Sequence, residues 1–420
     1  MYEPVQTSDK IYPVGLFEAT GIELEYMITD SGTLDVLPVC DRVLFEISGS
    51  FDNEVYPDGE NGFSAWSNEL ALHVLEFKSL KPIPDLSSSG KLFQKEVCAA
   101  NRILQKYNAV LLPTAMHPWM NPDREFRIWP HGNREIYNTF DRIFGCSGHG
   151  WSNLQSMHIN LPFSNNDEFI KLHTAIRILL PVINALTASS PFLEGSYSGF
   201  QDTRVEVYRT NSGFIPSITG SIVPEPATGI DDYNNRILKK IYSDLENYDP
   251  EKIISHEWVN ARGCIARFER GTIEIRTSDI QDCPGADIAC ARLIIHVLKK
   301  LVYEEIASMK DQINKDTESL YKILISVIRN GSSTVIDDSE YLKIFGLHAP
   351  CRAIEFWKKM AELYFPDYGE DSVFISNIFK HGNLSDRILR AAGKTPAKDQ
   401  LFSVYKDLSI SLAQGIQYIP

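Results

Sequence analysis

Two glutamates stand one residue apart in an otherwise apolar stretch, GIELEYMI, at residues 21–28. The alternation predicts a strand that carries Glu23 and Glu25 on one face and its apolar side chains on the other. At a rise of about 3.3 Å per residue the two carboxylates lie roughly 6.6 Å apart, so at an effective dielectric near 20 they repel by about 2.5 kcal/mol. Either water on a solvated sheet face or a bound cation must offset that repulsion.

Three further segments alternate in the same way and carry reactive side chains on their polar face. They are LEFKSL at 75–80, QSMHINL at 155–161 and TIEIRTSD at 272–279. Taken singly, each is explained by a solvent-facing sheet surface, a hydrogen-bonded core histidine or a cross-strand ion pair. If all four strands belong to one sheet, its polar face combines the side chains of a cation site and an anion site: Glu23, Glu25, Glu76, His158, Glu274 and Arg276.

Carboxylate oxygens in this number suit Mg²⁺ or Mn²⁺, and one imidazole is compatible with either ion. Arg276, two positions after Glu274, has the planar fork that suits a phosphate oxygen. The sequence contains neither a G-x-x-x-x-G-K-[ST] loop nor a strand-anchored G-x-G-x-x-G. We therefore predict a site that binds a triphosphate through metal ions and arginines. The residues alone leave the acceptor undefined.

The elements that must position these residues mix strands and helices without regular βαβ alternation, which favours an α+β fold. A polar, Gly- and Pro-rich stretch at 195–235 is typical of an irregular functional segment. From 286 onward the pattern is mostly helical, with breaks at glycines near 331 and 382. The periodicity predicts strands over 16–30, 69–80 and 152–163, helices over 90–108 and 167–192, and a hairpin over 263–279 with its turn at ERGT. The segment 109–118 is predicted to be a buried strand that leads into a loop.

The chain has 420 residues, 43% of them hydrophobic, and a formal charge of −14 from 41 basic and 55 acidic residues. That charge, without a Lys/Arg cluster, argues against nucleic-acid and anionic-membrane partners. The N-terminus lacks the pattern of a signal peptide, and we expect no membrane-spanning run and a cytoplasmic protein. Seven cysteines without a C-x-x-C pair indicate reduced thiols and argue against a cysteine zinc site.

Six blocks of the sequence, in order, resemble the type 2 glutamate-cysteine ligases, a group of carboxylate-amine ligases in the glutamine synthetase-like superfamily. The resemblance extends to about residue 300, with a weaker match in GNLSDRILRAAG at 382–393. It implies a curved antiparallel sheet lined with acidic residues, helices behind it, and ATP-dependent amide formation from the side-chain carboxylate of glutamate. The blocks are GIELEY, NELALHVLEFKS, TAMHPW, QSMHINLP, ASSPFLEGSYSGFQDTRVEVYR and RGTIEIRTSDIQ.

The resemblance also implies roles for the acidic residues. Glu23 and Glu25 match the metal-binding E-x-E of the family, Glu76 matches the glutamate of its second acidic strand, and Glu274 matches its last metal carboxylate. Glu25 and Glu274 would hold metal between the nucleotide and the acceptor carboxylate. Glu69, seven residues before Glu76, is a candidate general base for the incoming amine. ATP and two or more Mg²⁺ or Mn²⁺ ions are the implied cofactors.

At other positions the match to the family motifs is less complete. His158 matches the second histidine of an H-V-H-V strand, but Ser156 replaces the first, which could alter metal preference. Arg276 matches the arginine that contacts phosphate. Arg204 and Arg209 fall where the family keeps substrate-facing or phosphate-facing arginines. We thus expect a single catalytic domain over 1–420 with a mostly helical layer over 300–420, acting on an amino acid and an amine. The assembly could be a homodimer.

Two other functions stay open at this point. A phosphotransferase of the same superfamily would stop after moving phosphate from ATP to a guanidine or carboxylate. A catalytically silent relative is compatible with Ser156, although buried like charges without metal are costly. Among the remaining basic residues we expect His131 and His149 to occupy turns or caps, and His117 is a candidate for the cleft. Arg262 and Arg267 are expected to pair with Glu269 or Glu274.

Overall fold

The computed structural model describes residues 11–365 and 369–420, apart from the side chain of Glu370. The segment 1–10, on which the expectation about a signal peptide mainly depends, lies outside the described residues. The strands are β1 Gly21–Asp30, β2 Glu54–Val55, β3 Ser64–Asn68, β4 Val74–Ser79, β5 Ala109–Leu112, β6 Met157–Pro162, β7 Phe192–Leu193, β8 Ser196–Tyr197, β9 Cys264–Arg267, β10 Thr272–Ile275, β11 Val335–Ile336 and β12 Cys351–Arg352.

The helices surround these strands and dominate the C-terminal third. They are α1 Cys40–Ser48, α2 Ser89–Leu104, α3 Pro122–Glu125, α4 Arg134–Phe144, α5 His149–Ser152, α6 Asn166–Thr187, α7 Thr203–Tyr208, α8 Pro216–Thr219, α9 Ile230–Tyr233, α10 Lys239–Leu245, α11 Pro284–Val302, α12 Met309–Asn314, α13 Thr317–Asn330, α14 Ser339–Ile344, α15 Ala353–Tyr364, α16 Ser372–His381, α17 Leu384–Ala392 and α18 Lys398–Gln414.

One antiparallel sheet holds all four predicted polar strands. Its order is β2-β3-β4-β1-β6-β10-β9, and β5 pairs with the far end of β1. Ile22, Leu24 and Tyr26 on β1 are fully buried and belong to one core with side chains of α2, α6 and α11. The predicted α+β class, with helices behind an antiparallel sheet, is confirmed.

The predicted strand over 69–80 needs correction, because residues 69–73 form the turn between β3 and β4. The strand β3, SAWSN, was missed because its small polar residues resemble a loop. Glu69 therefore reaches the sheet from a turn that follows Asn68. The stretch 195–235 is less irregular than expected, since it contains the short helices α7, α8 and α9.

Glycines end several elements where the sequence predicts a break. Gly271 in the β9–β10 turn has φ of 67°, Gly331 after α13 has 55°, and Gly382 after α16 has 83°. These are left-handed conformations that a residue with a Cβ adopts only with strain. The hairpin and both helix ends are thus confirmed at the expected glycines.

The long helix α6 is apolar enough and long enough to cross a membrane, by length and composition. It contains Lys171 and Arg177, so it is not an uninterrupted apolar run. In addition, 89% of its apolar window is buried inside the protein. The helix ends at Thr187, five residues before the predicted end, shortly ahead of Pro191.

The C-terminal helices are tied to the rest of the chain by a buried ion pair. Arg387 on α17 donates from Nη1 to Asp282 Oδ2 at 2.5 Å, and both side chains are fully buried. The same Asp282 oxygen accepts the backbone N–H of Tyr418 at 2.8 Å. Because these contacts join the segment before α11 to the last helices, we predict that 1–420 unfolds as one domain.

Replacing Arg387 with leucine tests this prediction. Removing one partner leaves Asp282 buried without its counter-charge, so we expect a loss of about 3–5 kcal/mol in the free energy of unfolding. Arg390→Leu is the matched control, because Arg390 lies on the same helix but is exposed. Urea unfolding followed by circular dichroism and by tryptophan fluorescence should give coincident transitions. Two separate transitions would show that the C-terminal layer is a domain of its own.

Candidate active site

Strand register brings the acidic residues together on one face of the sheet. Glu25 on β1 lies directly opposite Glu76 on β4, and Glu76 lies opposite Ser67 on β3. In the next row, Glu23 lies opposite His158 on β6. Glu274 on β10 lies opposite Asn160, a further strand away. This face lines a cavity of about 540 Å³ whose walls include Glu23, Glu25, Glu69, Glu76, His158, Glu274 and Arg276.

Glu23 is held by two side chains of β6. Its Oε2 accepts from His158 Nδ1 at 2.9 Å, and its Oε1 accepts from Asn160 Nδ2 at 3.1 Å. Burial raises the pKa of Glu23, but the hydrogen bond from His158 and nearby positive charges leave it below the usual value. Burial alone would lower the pKa of His158. The hydrogen bond to Glu23 and the charges of Glu25 and Glu23 instead raise it to about 9.

Ser156 lies between Glu25 and His158 and contacts both. Glu25 Oε2 accepts from the Ser156 backbone N–H at 2.6 Å and from its hydroxyl at 2.8 Å. The Ser156 Oγ also lies 2.9 Å from His158 Nε2. Since protonated His158 donates from both ring nitrogens, the hydroxyl can accept from Nε2 and donate to Glu25. The residue that departs from the family pattern therefore orients two candidate metal ligands.

Two groups of side chains are spaced to hold a metal ion. One oxygen or nitrogen from each of Glu23, Glu76 and His158 lies within 4.8 Å of the others, and so do oxygens of Glu25, Glu69 and Glu76. Hard divalent cations such as Mg²⁺ prefer such oxygen donors. Burial, then the negative charge of Glu23, raises the pKa of Glu76 to about 7. Burial and the charges of Glu76 and Glu25 raise that of Glu69 well above its usual value.

Glu274 forms ion pairs with two arginines. Arg276 donates from Nε to Oε1 at 2.5 Å, and Arg267 donates from Nη1 to Oε2 at 2.7 Å. Burial raises the pKa of Glu274, but the two guanidinium groups, Arg276 first, hold it well below its usual range. The expected pairing of Arg267 with Glu274 is confirmed. Arg267 and Arg276 both line the cavity.

Two arginines predicted to contact the nucleotide are held differently. Arg204 lines the cavity, but its guanidinium is buried, with Nε 2.5 Å from Asp279 Oδ1. Arg209 is not brought to the cavity wall. It pairs with Glu206 one turn earlier, Nη2 to Oε1 at 2.6 Å. The i, i+3 spacing at the end of α7 explains this, because Arg209 caps the helix in helical conformation and residues three apart share a helix face.

Two further residues make contacts other than the predicted ones. Arg262 pairs with Glu225, Nε to Oε2 at 2.7 Å, and not with Glu269 or Glu274 as expected. His117 is fully buried and its Nε2 lies 2.7 Å from the Leu34 carbonyl, so it packs in the core and does not line the cavity.

The two loop histidines stay at their turns, as expected. His131 contacts Asp41 at 3.0 Å and stacks on Phe51, with ring centroids 4.3 Å apart. His149 begins the short helix α5, and its Nδ1 lies 3.1 Å from the amide of Asn153.

Sequence reasoning missed the wall opposite the sheet. Helix α4 presents Tyr137 and Phe140 to the cavity, where Trp151 and Trp258 join them. The only signal for it was the spacing of apolar residues in REIYNTF, which predicts one apolar face on a helix. Arg270, in the hairpin turn, also lines the cavity, and its Nη1 lies 3.6 Å from Glu23 Oε1.

A second cavity of about 350 Å³ adjoins the first. Both are lined by Glu23, Glu54, Lys78 and Arg270, so the two spaces meet at these side chains. The second cavity has largely apolar walls farther out: Val14, Ala19, Leu80, Pro82 and Pro162. The arrangement suits a ligand with an apolar ring at one end and a charged chain that passes between Lys78 and Arg270.

The raised pKa of Glu76 predicts a pH-dependent stability. Its folded pKa of about 7 lies above the usual 4.5, so this carboxyl stabilises the metal-free protein below about pH 4.5, and that contribution is lost as the pH rises towards 7. A difference of this size corresponds to roughly 3 kcal/mol. In EDTA, Glu76→Gln should therefore lose less stability between about pH 5 and 8 than wild type. Urea unfolding across that range measures the difference.

Exposed Glu60→Gln is the control for this measurement. Adding Mg²⁺ should stabilise wild type more at the alkaline end, because a bound cation offsets the same repulsion. Equal pH slopes for wild type and Glu76→Gln would contradict the account of the acidic cluster.

Comparison with known proteins agrees with this geometry. Residues 19–329 match the sequence profile of "Glutamate-cysteine ligase family 2(GCS2)". An "Uncharacterized protein" of Archaeoglobus fulgidus is 32% identical over 333 residues, which cover 78% of this chain and 88% of the relative.

Two solved structures share the fold. A bifunctional glutathione synthetase from Pasteurella multocida superimposes with a TM-score of 0.63 at 13% identity, over 94% of this chain but only 53% of that protein. A glutamate–cysteine ligase from Francisella tularensis, in complex with AMP, superimposes with a TM-score of 0.55 at 10% identity, over 94% of this chain and 88% of the other. With the profile matching the whole sheet and its acidic face, the chain belongs to glutamate-cysteine ligase family 2.

Proposed function

We propose that this protein is an ATP-dependent carboxylate–amine ligase that joins the side-chain carboxylate of glutamate, or a related carboxylate, to an amine. The proposal is carried by one observation: Glu23, Glu25, Glu76 and Glu274, distant in sequence, line a single cavity together with Arg276. Family membership supports the same reaction class. We further propose small-molecule substrates, a cytoplasmic location and no nucleic-acid or membrane partner, and the homodimer stays a prediction.

A carboxylate is a poor electrophile, so it must first be activated. One carboxylate oxygen attacks the γ-phosphorus of ATP, the bond to the β-phosphate oxygen breaks, and an acyl phosphate and ADP result. The amine nitrogen then attacks the carbonyl carbon, the C–O bond breaks, and phosphate leaves with that oxygen. Arg276 and Arg267 would neutralise charge on the transferring phosphoryl group, where positioned cations contribute most.

The carboxylates suit divalent cations, because they form two groups of hard oxygen donors. These oxygens repel one another when no cation is bound. Glu23, Glu76, His158 and Glu274 would hold one ion or more near the nucleotide, and Glu25 and Glu76 would hold another near the acceptor, next to Glu69. Bound Mg²⁺ or Mn²⁺ supplies charge neutralisation and orientation of the phosphates. We infer two or more ions from the number of ligands.

Glu69 is the proposed general base for the amine. Its carboxylate lies beside those of Glu25 and Glu76, and burial with those two charges gives it a raised pKa. A base with a pKa nearer neutrality can take a proton from an ammonium nucleophile more readily than an ordinary carboxylate. Its position on a turn, outside the rigid strands, leaves it near Tyr137 on the wall opposite the sheet, where an amine can approach.

Hydroxylamine provides the test, because it traps acyl phosphates as hydroxamates. We expect ATP- and Mg²⁺-dependent formation of ADP and of a hydroxamate with glutamate or a related amino acid. Phosphate transfer that yields a stable phosphorylated product and no hydroxamate would instead favour the phosphotransferase. ATP binding without ADP formation, over a panel of carboxylates, would favour the silent relative.

A further inference from the structure

We propose that the amine joined by this enzyme has an aromatic or other apolar body and carries no carboxylate of its own, and that it binds between Glu69 and the four rings opposite the sheet. Those rings belong to Tyr137, Phe140, Trp151 and Trp258 and are called the aromatic wall below. The inference rests on the proposed function and deepens it by naming the class of amine.

The aromatic wall is one continuous surface. The ring centroid of Phe140 lies 5.4 Å from that of Trp151 and 5.7 Å from that of Trp258. Tyr137, one turn earlier on α4, accepts at its hydroxyl from Asn68 Nδ2 at 3.0 Å. Asn68 directly precedes Glu69, so the wall begins beside that carboxylate. All four rings are only partly buried, which leaves ring surface open to the cavity.

Five lysine and arginine side chains line the cavity, and each has a carboxylate partner: Arg267 contacts Glu274 at 2.7 Å, and Arg270 lies 3.6 Å from Glu23. Lys78 contacts Glu54 at 2.5 Å, Arg276 contacts Glu274 at 2.5 Å, and Arg204 contacts Asp279 at 2.5 Å. The aromatic wall itself contributes no basic side chain. A carboxylate placed there would lie near Glu69 without a counter-charge, which makes an amino-acid acceptor such as cysteine unfavourable.

The same surface attracts an ammonium group. The carboxylates of Glu25, Glu69 and Glu76 lie together at this end of the cavity, and their combined negative charge favours an incoming cation. Aromatic faces attract cations and pack well against flat apolar groups. An ammonium bound at Glu69 would carry its apolar substituent onto Phe140 and the two tryptophans.

The nucleotide does not need the aromatic wall. The second cavity offers apolar surface for a base at Leu80 and Pro82, and its junction with the main cavity carries Lys78 and Arg270. A triphosphate that passes this junction points its terminal phosphate towards Glu274 and Arg276. The aromatic wall, on the side of Glu25 and Glu69, is left for the second substrate.

Matched amine pairs that differ only in a carboxylate test the proposal. With any donor that gives a hydroxamate, we expect kcat/KM for cysteamine to exceed that for cysteine, and kcat/KM for 2-phenylethylamine to exceed that for phenylalanine, each by at least about tenfold. Within the pair of simple amines, 2-phenylethylamine should be the better substrate. Product masses identify the amide.

Preference for cysteine or phenylalanine would overturn the inference, and so would hydroxamate formation without turnover of either simple amine. Both results leave the proposed function standing. Failure to form a hydroxamate with any donor contradicts the proposed function instead.

Variants of the wall give a second test. Trp151→Leu and Trp258→Leu should lower kcat/KM for 2-phenylethylamine at least about tenfold more than they lower it for hydroxylamine, which has no apolar body. Phe214→Leu is the control, because this ring is half exposed and contacts Phe144 and Tyr248 outside the cavity. Equal losses for both amines in the tryptophan variants would overturn the assignment.

Discussion

Glu23→Gln should lower the rate of ADP formation by at least about 10²-fold, as expected when a group that stabilises developing charge is removed. Glutamine keeps the size of the side chain but not its charge. It therefore removes one carboxylate from the group formed with Glu76 and His158. Steady-state assays of ADP release, with saturating Mg²⁺ and ATP, measure the effect. Raising the Mg²⁺ concentration should recover part of the rate, because the remaining ligands still bind the ion, although with lower affinity.

Glu46→Gln is the matched control for this variant. Glu46 pairs with Lys106 on the surface, 2.6 Å away, and lies outside the cavity. Both variants should give circular dichroism spectra and cooperative unfolding like those of wild type. Unchanged turnover in Glu23→Gln would remove Glu23 from the metal site.

Arg276→Lys should weaken ATP binding by about 2–3 kcal/mol, or roughly 30- to 150-fold in Kd, because a charge-assisted contact of this kind is lost. A lysine ammonium is a point charge and cannot contact Glu274 and a phosphate oxygen with a planar fork. The substitution also leaves Glu274 with one guanidinium fewer. Calorimetric titration of ATP, with Mg²⁺ present, measures the change.

Arg262→Lys is the control that separates nucleotide binding from stability. Arg262 is as buried as a site residue and forks onto Glu225 with contacts of 2.7 and 2.8 Å, but it does not line the cavity. This variant should lose stability and keep its affinity for ATP. Identical ATP affinity in Arg276→Lys and wild type would rule out the phosphate role of Arg276.

The sheet side of the site could be predicted from sequence because strands impose a period of two. In β1, Glu23 and Glu25 share one face and apolar residues occupy the other. Because the apolar face is buried in the core, the glutamates must point to the opposite side of the sheet. The same logic applies to Glu76, His158 and Glu274, and the register places all of them together.

The rest of the site depends on contacts that no local pattern encodes. Arg209 pairs with Glu206 because of helix spacing, and Arg262 pairs with Glu225 because of tertiary packing. His117 is a core residue because its loop folds back on Leu34, 83 positions away. The aromatic wall requires α4, the region of α5 and the segment before β9 to meet across the cavity.

The acidic cluster lowers the free energy of unfolding of the metal-free protein, because its carboxylates repel one another. Carboxylates with raised pKa values, Glu69 and Glu76, are stabilised by protonation or by cations. His158, with a pKa of about 9, supplies one positive charge in the metal-free protein. Metal binding at neutral pH should therefore release protons from His158 and Glu76, since metal ligands bind in their deprotonated form.

Oxygen transfer tests the central claim most directly. With a donor carboxylate labelled with ¹⁸O, the acyl-phosphate route predicts that each amide formed releases one phosphate that carries one labelled oxygen from the donor. Mass spectrometry of the phosphate reads this transfer. Unlabelled phosphate accompanying amide formation would contradict activation of the carboxylate by phosphoryl transfer at this site.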